Sequence, residues 1–290
     1  MNILNSIPSP SISSFDVGQI RIHFYALFIL AGIVAAIILG ELRLRKRGAQ
    51  PGVILDVALW AVPFGILGGR LFHVFTHQSD YFGEGKDLLK IFAVWEGGLA
   101  IYGALILGSA AAYIGCKQAG IRFLSFADAI APGVLLAQAI GRWGNYFNGE
   151  LFGKPTDLPW GLEISPSNSA YPVGLPAGTL FHPTFFYEFL WNVSGVVILL
   201  MLDKRLDLRW GRLFALYLAY YSVGRFWIED LRVDPSEVLL GLRSNQWSAV
   251  VGMLIGISLF IWSRRAHPGA EVSVVIEKSS SQTSEKEHLS

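Results

Sequence analysis

Arg142, Asn145, Asn148 and Glu150 crowd the stretch Gly141-Arg142-Trp143-Gly144-Asn145-Tyr146-Phe147-Asn148-Gly149-Glu150-Leu151-Phe152-Gly153, at the end of a long apolar run. At helical spacing Arg142 and Asn145 share a face, and Asn145 and Asn148 continue it. Four glycines in this stretch permit close backbone approach or unusual dihedrals. A second cluster, Gly224-Arg225-Phe226-Trp227-Ile228-Glu229-Asp230-Leu231-Arg232, sets Arg225 and Glu229 four residues apart on one helix. The planar guanidinium fork matches phosphate oxygens and stays charged in any environment. Two arginines from different apolar segments therefore suit one anionic phosphate group. Equally, Arg225 can simply pair with Glu229, since neighbours at that spacing meet.

Other polar residues stand out against apolar surroundings: Arg70, His23 and Tyr25, Tyr102, and His182 with Tyr187 and Glu188. An arginine at the centre of a bilayer costs about 2.5–3.5 kcal/mol on insertion scales, so each needs a partner or a task. The segment Arg21 to Tyr25 also reads as an interfacial anchor, and His182 before Pro183 as an interfacial cap. His73 and His77 lie one turn apart, but no third ligand follows at a fixed spacing, so no metal site is expected. The single cysteine, Cys116, excludes an intramolecular disulfide and is expected to have no chemical role.

The elements that carry these residues are membrane spans. Of 290 residues 52% are hydrophobic and 16% charged, against about 25% charged in soluble domains. Seven apolar runs near the spanning length of about 20 residues fall at 20–42, 54–76, 98–116, 126–148, 183–202, 212–230 and 246–263. The expected fold is an all-α polytopic membrane protein. Basic residues are richer on one side: Arg43, Arg45, Lys46 and Arg47; Lys117 and Arg122; Lys204, Arg205, Arg209 and Arg212; Arg264 and Arg265. The other side has Arg21, Lys86, Lys90, Lys154, Arg232 and Arg243. The richer side should be cytoplasmic, which places the N-terminus outside and the C-terminus inside. Residues 1–19 are expected as an external arm without signal-peptide character, 20–263 as the seven-helix catalytic domain with an ordered external cap at 149–182, and 264–290 as a disordered cytoplasmic tail. Asp56 and Asp128 read as helix-start residues near the inner ends. No basic stripe suggests nucleic acid.

The run from Gly141 to Gly153, a G-R-x-G-N-x-x-N-x-E-x-x-G pattern, resembles the signature of the prolipoprotein diacylglyceryl transferases. The resemblance extends in order through His23-Phe24-Tyr25, Trp95-Glu96-Gly97-Gly98-Leu99, His182-Pro183-Thr184, Tyr187-Glu188, the Arg225–Glu229–Arg232 segment, and Gln246 with Ser248. It implies a bacterial plasma (inner) membrane enzyme with seven spans. Its substrates would be phosphatidylglycerol and the lipobox cysteine of a prolipoprotein signal peptide, and it would need no cofactor. Arg142 and Arg225 would hold the lipid phosphate, Asn145, Glu150 and Gly153 would shape the pocket, Tyr25 would reach in, and Glu229 would steady Arg225. The same resemblance draws Asn148, His23, Gly97, Gly98, Gly103, Glu188 and Arg232 into the substrate-binding set. In one place the sequence departs from the pattern. Where the family often has His-Gly-Gly-Leu, with a histidine regarded as the base, this chain has Tyr102-Gly103-Ala104-Leu105. A phenol, with a reference pKa near 10, is a poor base, so Tyr102 is expected to bind or orient. Glu150, His23 and Glu229 remain as candidate bases. The competing reading is a lipid or solute transporter with an outward-facing anion site. It would require polar groups through the inner halves of the spans, and these look apolar.

Overall fold

In the computed structural model, residues 6–18, 20–83, 85–94, 97–269, 271 and 273–276 are described; Trp95, Glu96 and the tail from 277 lie outside them. Among the described residues seven helices have 18 residues or more: α1 (Phe24–Lys46), α2 (Val53–Thr76), α3 (Ile101–Gln118), α4 (Phe123–Asn148), α5 (Thr184–Leu206), α6 (Arg212–Leu231) and α7 (Ser244–Ala266). Each expected span is occupied by one of them. Five of the seven, α1, α2, α4, α5 and α7, are long and apolar enough to cross a membrane. Helix α6 carries Arg225, Glu229 and Asp230 in its last turns, and α3 has only 18 residues. Helix α1 turns Leu30, Ile33, Val34 and Ile38 outward, which suits a lipid solvent rather than water.

The chain forms two compact units. The first comprises Met1–Gly40 and Ala127–Ala270. Here α4 lies close on α1: a Cβ on Gly133 would sit 2.9 Å from the Ala36 carbonyl oxygen, and one on Gly32 would sit 3.0 Å from that of Ala137. Small residues at such crossings let membrane helices approach. Helices α5 and α6 interlock through the stacked rings of Trp191 and Tyr220, 4.6 Å apart. The expected first span is corrected at both ends. Residues Ile20–His23 form strand β3, paired antiparallel with β2 (Ser14–Val17), and the helix starts at Phe24 and runs on to Lys46.

The segment expected as an external cap holds short strands. Strand β1 (Ser6–Ile7) pairs parallel with β4 (Gly161–Glu163), which pairs antiparallel with β5 (Leu180–Phe181). Phe152, Leu162, Ile164, Phe181 and Phe185 form a small core beneath this sheet. Strands β6 (Val238–Leu239) and β7 (Leu242–Arg243) make a hairpin leading into α7. Asp128 does not start its own helix. Fully buried, its carboxylate accepts the backbone N–H groups of Gly211 and Phe214, and so caps the N-terminus of α6.

The second unit comprises Glu41–Phe126 with the described residues from Glu271 on. Helices α2 and α3 cross with Gly68 facing Gly103, and a Cβ on either would strike the other's backbone. The expectation of a disordered tail from 264 needs correction. Helix α7 runs to Ala266, and residues 273–276 pair with two turns of this unit. The Val274 N–H donates to Arg47, the Arg122 N–H donates to Val274, and the Ile276 N–H donates to Gly120. Buried Glu271 accepts from Ser125 Oγ and pairs with Arg122 at 3.5 Å. The Ser, Glu and Lys content of the tail concealed the apolar Val274-Val275-Ile276 run, which supplies this pairing.

Candidate active site

Helix α4 stops where its sequence turns permissive. Gly149 (φ 60°) and Leu151 (φ 58°) both adopt left-handed backbone, the conformation that ends helices. The sharp exit is held by Asn168, whose amide donates to the Gly149 carbonyl at 3.0 Å, and by Thr184 Oγ1, which donates to Leu151. It folds Glu150 back onto the helix: the Glu150 N–H donates to the Asn145 carbonyl at 3.1 Å. The Glu150 carboxylate then accepts from the Asn145 amide at 3.0 Å and the Asn148 amide at 3.3 Å. Asn145 Oδ1 in turn accepts from Arg142 at 3.3 Å. The helical spacing expected to align Arg142, Asn145 and Asn148 thus converges on Glu150.

From Arg142 the network crosses to two more helices of the first unit. Arg142 Nε lies 2.7 Å from Glu188 Oε2 on α5, and Arg225 Nη1 on α6 lies 3.5 Å from Glu188 Oε1. Arg225 Nη2 is 2.8 Å from Glu229 Oε2, the i, i+4 pair. Arg225 therefore pairs with Glu229, as the i, i+4 spacing allowed, and also faces Arg142 across a shared carboxylate. The Glu188 and Glu229 side chains are 6% and 0% exposed, while Arg142 and Arg225 are 18% and 16% exposed. Arg225 Nη1 is buried and has no hydrogen-bond partner among the described residues.

Glu229 is the anchor. Its Oε1 accepts from Arg243 Nε at 3.0 Å and from Asn245 Nδ2 at 2.9 Å. Arg243 also donates to the carbonyls of Arg232 (2.9 Å) and Asp234 (2.7 Å), tying the exit of α6 to the start of α7. Arg232 is not a surface residue: it is 5% exposed, lies 3.8 Å from Glu229 and donates to Asp234 at 2.7 Å. Sequence reasoning missed Arg243 and Asn245, counting Arg243 only as an external charge. A signal was present: Gln246 Oε1 accepts from the Arg243 N–H at 3.0 Å, a polar cap at the start of the last helix.

Gly153 lies where three segments meet. Its N–H donates to the His182 carbonyl at 2.9 Å, and a Cβ there would sit 2.7 Å from His182 Cβ and 3.0 Å from the Leu231 carbonyl oxygen. His182 Nδ1 lies 3.2 Å from the Tyr187 hydroxyl, and burial, with Lys154 nearby, holds the imidazole below its ordinary pKa. Tyr25, in the first turn of α1, packs on Gly144, where a Cβ would lie 2.7 Å from its ring. The hydroxyls of Tyr25 and Tyr221 adjoin the Arg142 guanidinium. His23 is exposed at the end of β3.

The remaining expected residues belong to the second unit. Gly97 and Gly98, with φ 89° and 69°, present their carbonyls to Arg70 Nη1 at 2.8 and 3.2 Å. Arg70 also donates to Ile91 at 2.7 Å and to Lys90, so it is satisfied by backbone rather than by a carboxylate. A Cβ on Gly98 would lie 2.6 Å from that guanidinium. Gly103 sits at the α2–α3 crossing, and Tyr102 is half-exposed against Phe72. Trp95 and Glu96 of the expected motif lie outside the described residues.

Residues 13–262 match the family described as prolipoprotein diacylglyceryl transferase. The chain is 52% identical over 277 residues to the phosphatidylglycerol–prolipoprotein diacylglyceryl transferase of Leifsonia xyli, covering 92% of this chain and 83% of that protein. It is 50% identical to a Streptomyces coelicolor enzyme of the same name over 91% and 83% of the two chains. A Mycobacteroides abscessus relative of that name is 51% identical, over 88% and 77%. With matches across nearly its whole helical body, this chain belongs to the prolipoprotein diacylglyceryl transferase family.

Proposed function

We propose that this chain transfers the diacylglyceryl group of phosphatidylglycerol to the lipobox cysteine of a prolipoprotein, the first step of bacterial lipoprotein maturation. The observation that carries this reading is the meeting of Arg142 and Arg225, from α4 and α6, on one buried carboxylate. Two converging guanidinium groups, one with a buried nitrogen that makes no hydrogen bond among the described residues, suit a phosphate.

In the reaction the cysteine sulfur attacks the glyceryl carbon of the lipid and the C–O bond to phosphate breaks. A thioether forms, and glycerol phosphate leaves carrying the bond's electrons. The thiol proton passes to a base or to the departing phosphate. Charge growing on that phosphate is met by Arg142 and Arg225 in a water-poor site, where fixed cations act most strongly. Asn145, Asn148 and Glu150 fix Arg142; Glu229, Arg243 and Asn245 fix Arg225. Glu229, enclosed by three donors, serves as an anchor rather than a base. Tyr25, Tyr221 and Gly153 shape the pocket around the phosphate.

The same reading has seven spans in the bacterial plasma membrane, N-terminus outside. It is supported by the basic residues in the last turns of α1, α5 and α7, and by the pairing of Arg47 and Arg122 with the C-terminal segment. The transporter alternative is not favoured by the family. Incubating the purified protein with phosphatidylglycerol and a lipobox peptide tests the activity. The expected product is the diacylglyceryl thioether, seen by mass spectrometry, and its absence with folded protein overturns the reading.

A further inference from the structure

The two carboxylates of the arginine network are held very differently. Glu229 accepts two hydrogen bonds on Oε1, from Arg243 and Asn245, and its Oε2 pairs closely with Arg225 at 2.8 Å though without a hydrogen bond; Arg243 is itself tied to two backbone carbonyls. Among the described residues Glu188 forms ion pairs only with Arg142 and Arg225, one with each oxygen. Its contact to Arg225 is long, 3.5 Å, and leaves Arg225 Nη1 without a hydrogen bond. Two oxygens spread across two guanidinium groups are also what the non-bridging oxygens of a phosphodiester would present.

Charge makes this matter. The lipid phosphodiester carries one negative charge. The glycerol phosphate that leaves is a monoester, with a second ionisation near pKa 6 and a charge approaching −2 at neutral pH. A bare arginine pair would hold the product more tightly than the substrate. A carboxylate tethered beside the pair competes at high effective concentration.

Resting on the phosphate reading above, we propose that Glu188 is the exchangeable occupant of the phosphate seat. It neutralises Arg142 and Arg225 while the seat is empty, yields to the lipid, and returns to expel glycerol phosphate. Glu229 stays in place throughout and keeps Arg225 aimed. Glu188 is thus a positioning residue that sets product release, and it competes with the phosphate instead of binding it.

The test compares the full-length wild type in detergent with Glu188→Gln and Glu188→Asp. Phosphatidylglycerol binding, inhibition by glycerol phosphate, and the first turnover against the steady state are measured. Removing the competing charge should tighten product inhibition about tenfold or more and tighten lipid binding. Steady-state turnover should fall while the first turnover shows a burst. A carboxylate that only supports the arginines would give weaker binding and no burst, which overturns the proposal. Glu188→Asp keeps the charge balance, so it covers a failure of Glu188→Gln to fold. Too short to span both arginines, Asp should tighten product inhibition more modestly, and weaker inhibition than wild type overturns the exchange. Arg142→Lys and Arg225→Lys separate the two layers. If Lys leaves lipid and product binding unchanged, the phosphate seat is misassigned and the exchange falls with it. If Lys weakens both but neither Glu188 variant tightens them, the exchange alone is overturned.

Discussion

The carboxylate of Asp128 receives the backbone N–H of Gly211 at 2.8 Å, so a residue in α4 caps the start of α6. Its other oxygen takes the Phe214 N–H at 2.9 Å. Asp128→Ala should leave two buried donors unsatisfied, at about 1–3 kcal/mol each. A clear drop in the thermal midpoint of the detergent-solubilised protein is expected, with Asp128→Asn losing less. Equal midpoints for wild type and Asp128→Ala would show that the cap contributes nothing.

Arg142→Lys and Arg225→Lys should each lower turnover of phosphatidylglycerol by roughly 10–100-fold. A charge-assisted hydrogen bond is worth about 1.5–3 kcal/mol, and about 1.4 kcal/mol is tenfold in rate. Arg232→Lys is expected to be costly too, because the buried Arg232 guanidinium pairs with Asp234 rather than touching a surface. Near-normal rates in the first two variants, normalised to folded protein, would reduce these arginines to structural ion pairs.

Much of this site was readable in advance because its first half is local. Arg142, Asn145, Asn148 and Glu150 sit within nine residues: helical spacing aligns the first three, and the glycine-marked exit turns Glu150 back onto them. Arg225 and Glu229 are likewise one turn apart. The partners that complete the network are not local. Glu188 reaches both arginines from another helix, and Arg243 arrives on Glu229 only after the chain has left α6, formed a hairpin and turned back. No periodicity encodes such a return. The fold shows the same division: seven apolar runs located the seven long helices, whereas the strand at Ile20–His23 was hidden by its apolar residues, which read equally well as the start of a span.

Truncation should separate the paired part of the tail from the rest. A chain ending at Ile276 should keep activity within a few fold and melt near the wild type. One ending at Gly269 loses the Val274 and Ile276 pairings and the buried Glu271, and should melt several degrees lower. Indistinguishable melting curves would refute a stabilising role for residues 271–276.

Reporter fusions after Arg47, Arg122 and Arg209 should all give a cytoplasmic signal. An external signal at any one of these sites would break the seven-span orientation.

Acid should weaken the fold around β4 and β5 through His182. Burial and Lys154 lower the pKa of this imidazole in the folded protein. The unfolded chain therefore takes up a proton first, near the ordinary value of 6.5, and stability falls as the pH drops below it. His182→Asn should flatten that part of the stability profile. An unchanged acid dependence in the variant would assign it to other groups.

The pairing of Val274 with Arg47 and Arg122 has a consequence for the order of synthesis. Both turns of the second unit emerge from the ribosome long before residues 273–276, which pair with them. Helices α4 to α7 are made in between, so the backbone groups at Arg47 and Arg122 must wait for their partners until all four have been synthesised. The second unit therefore closes only after all four of those helices have been made.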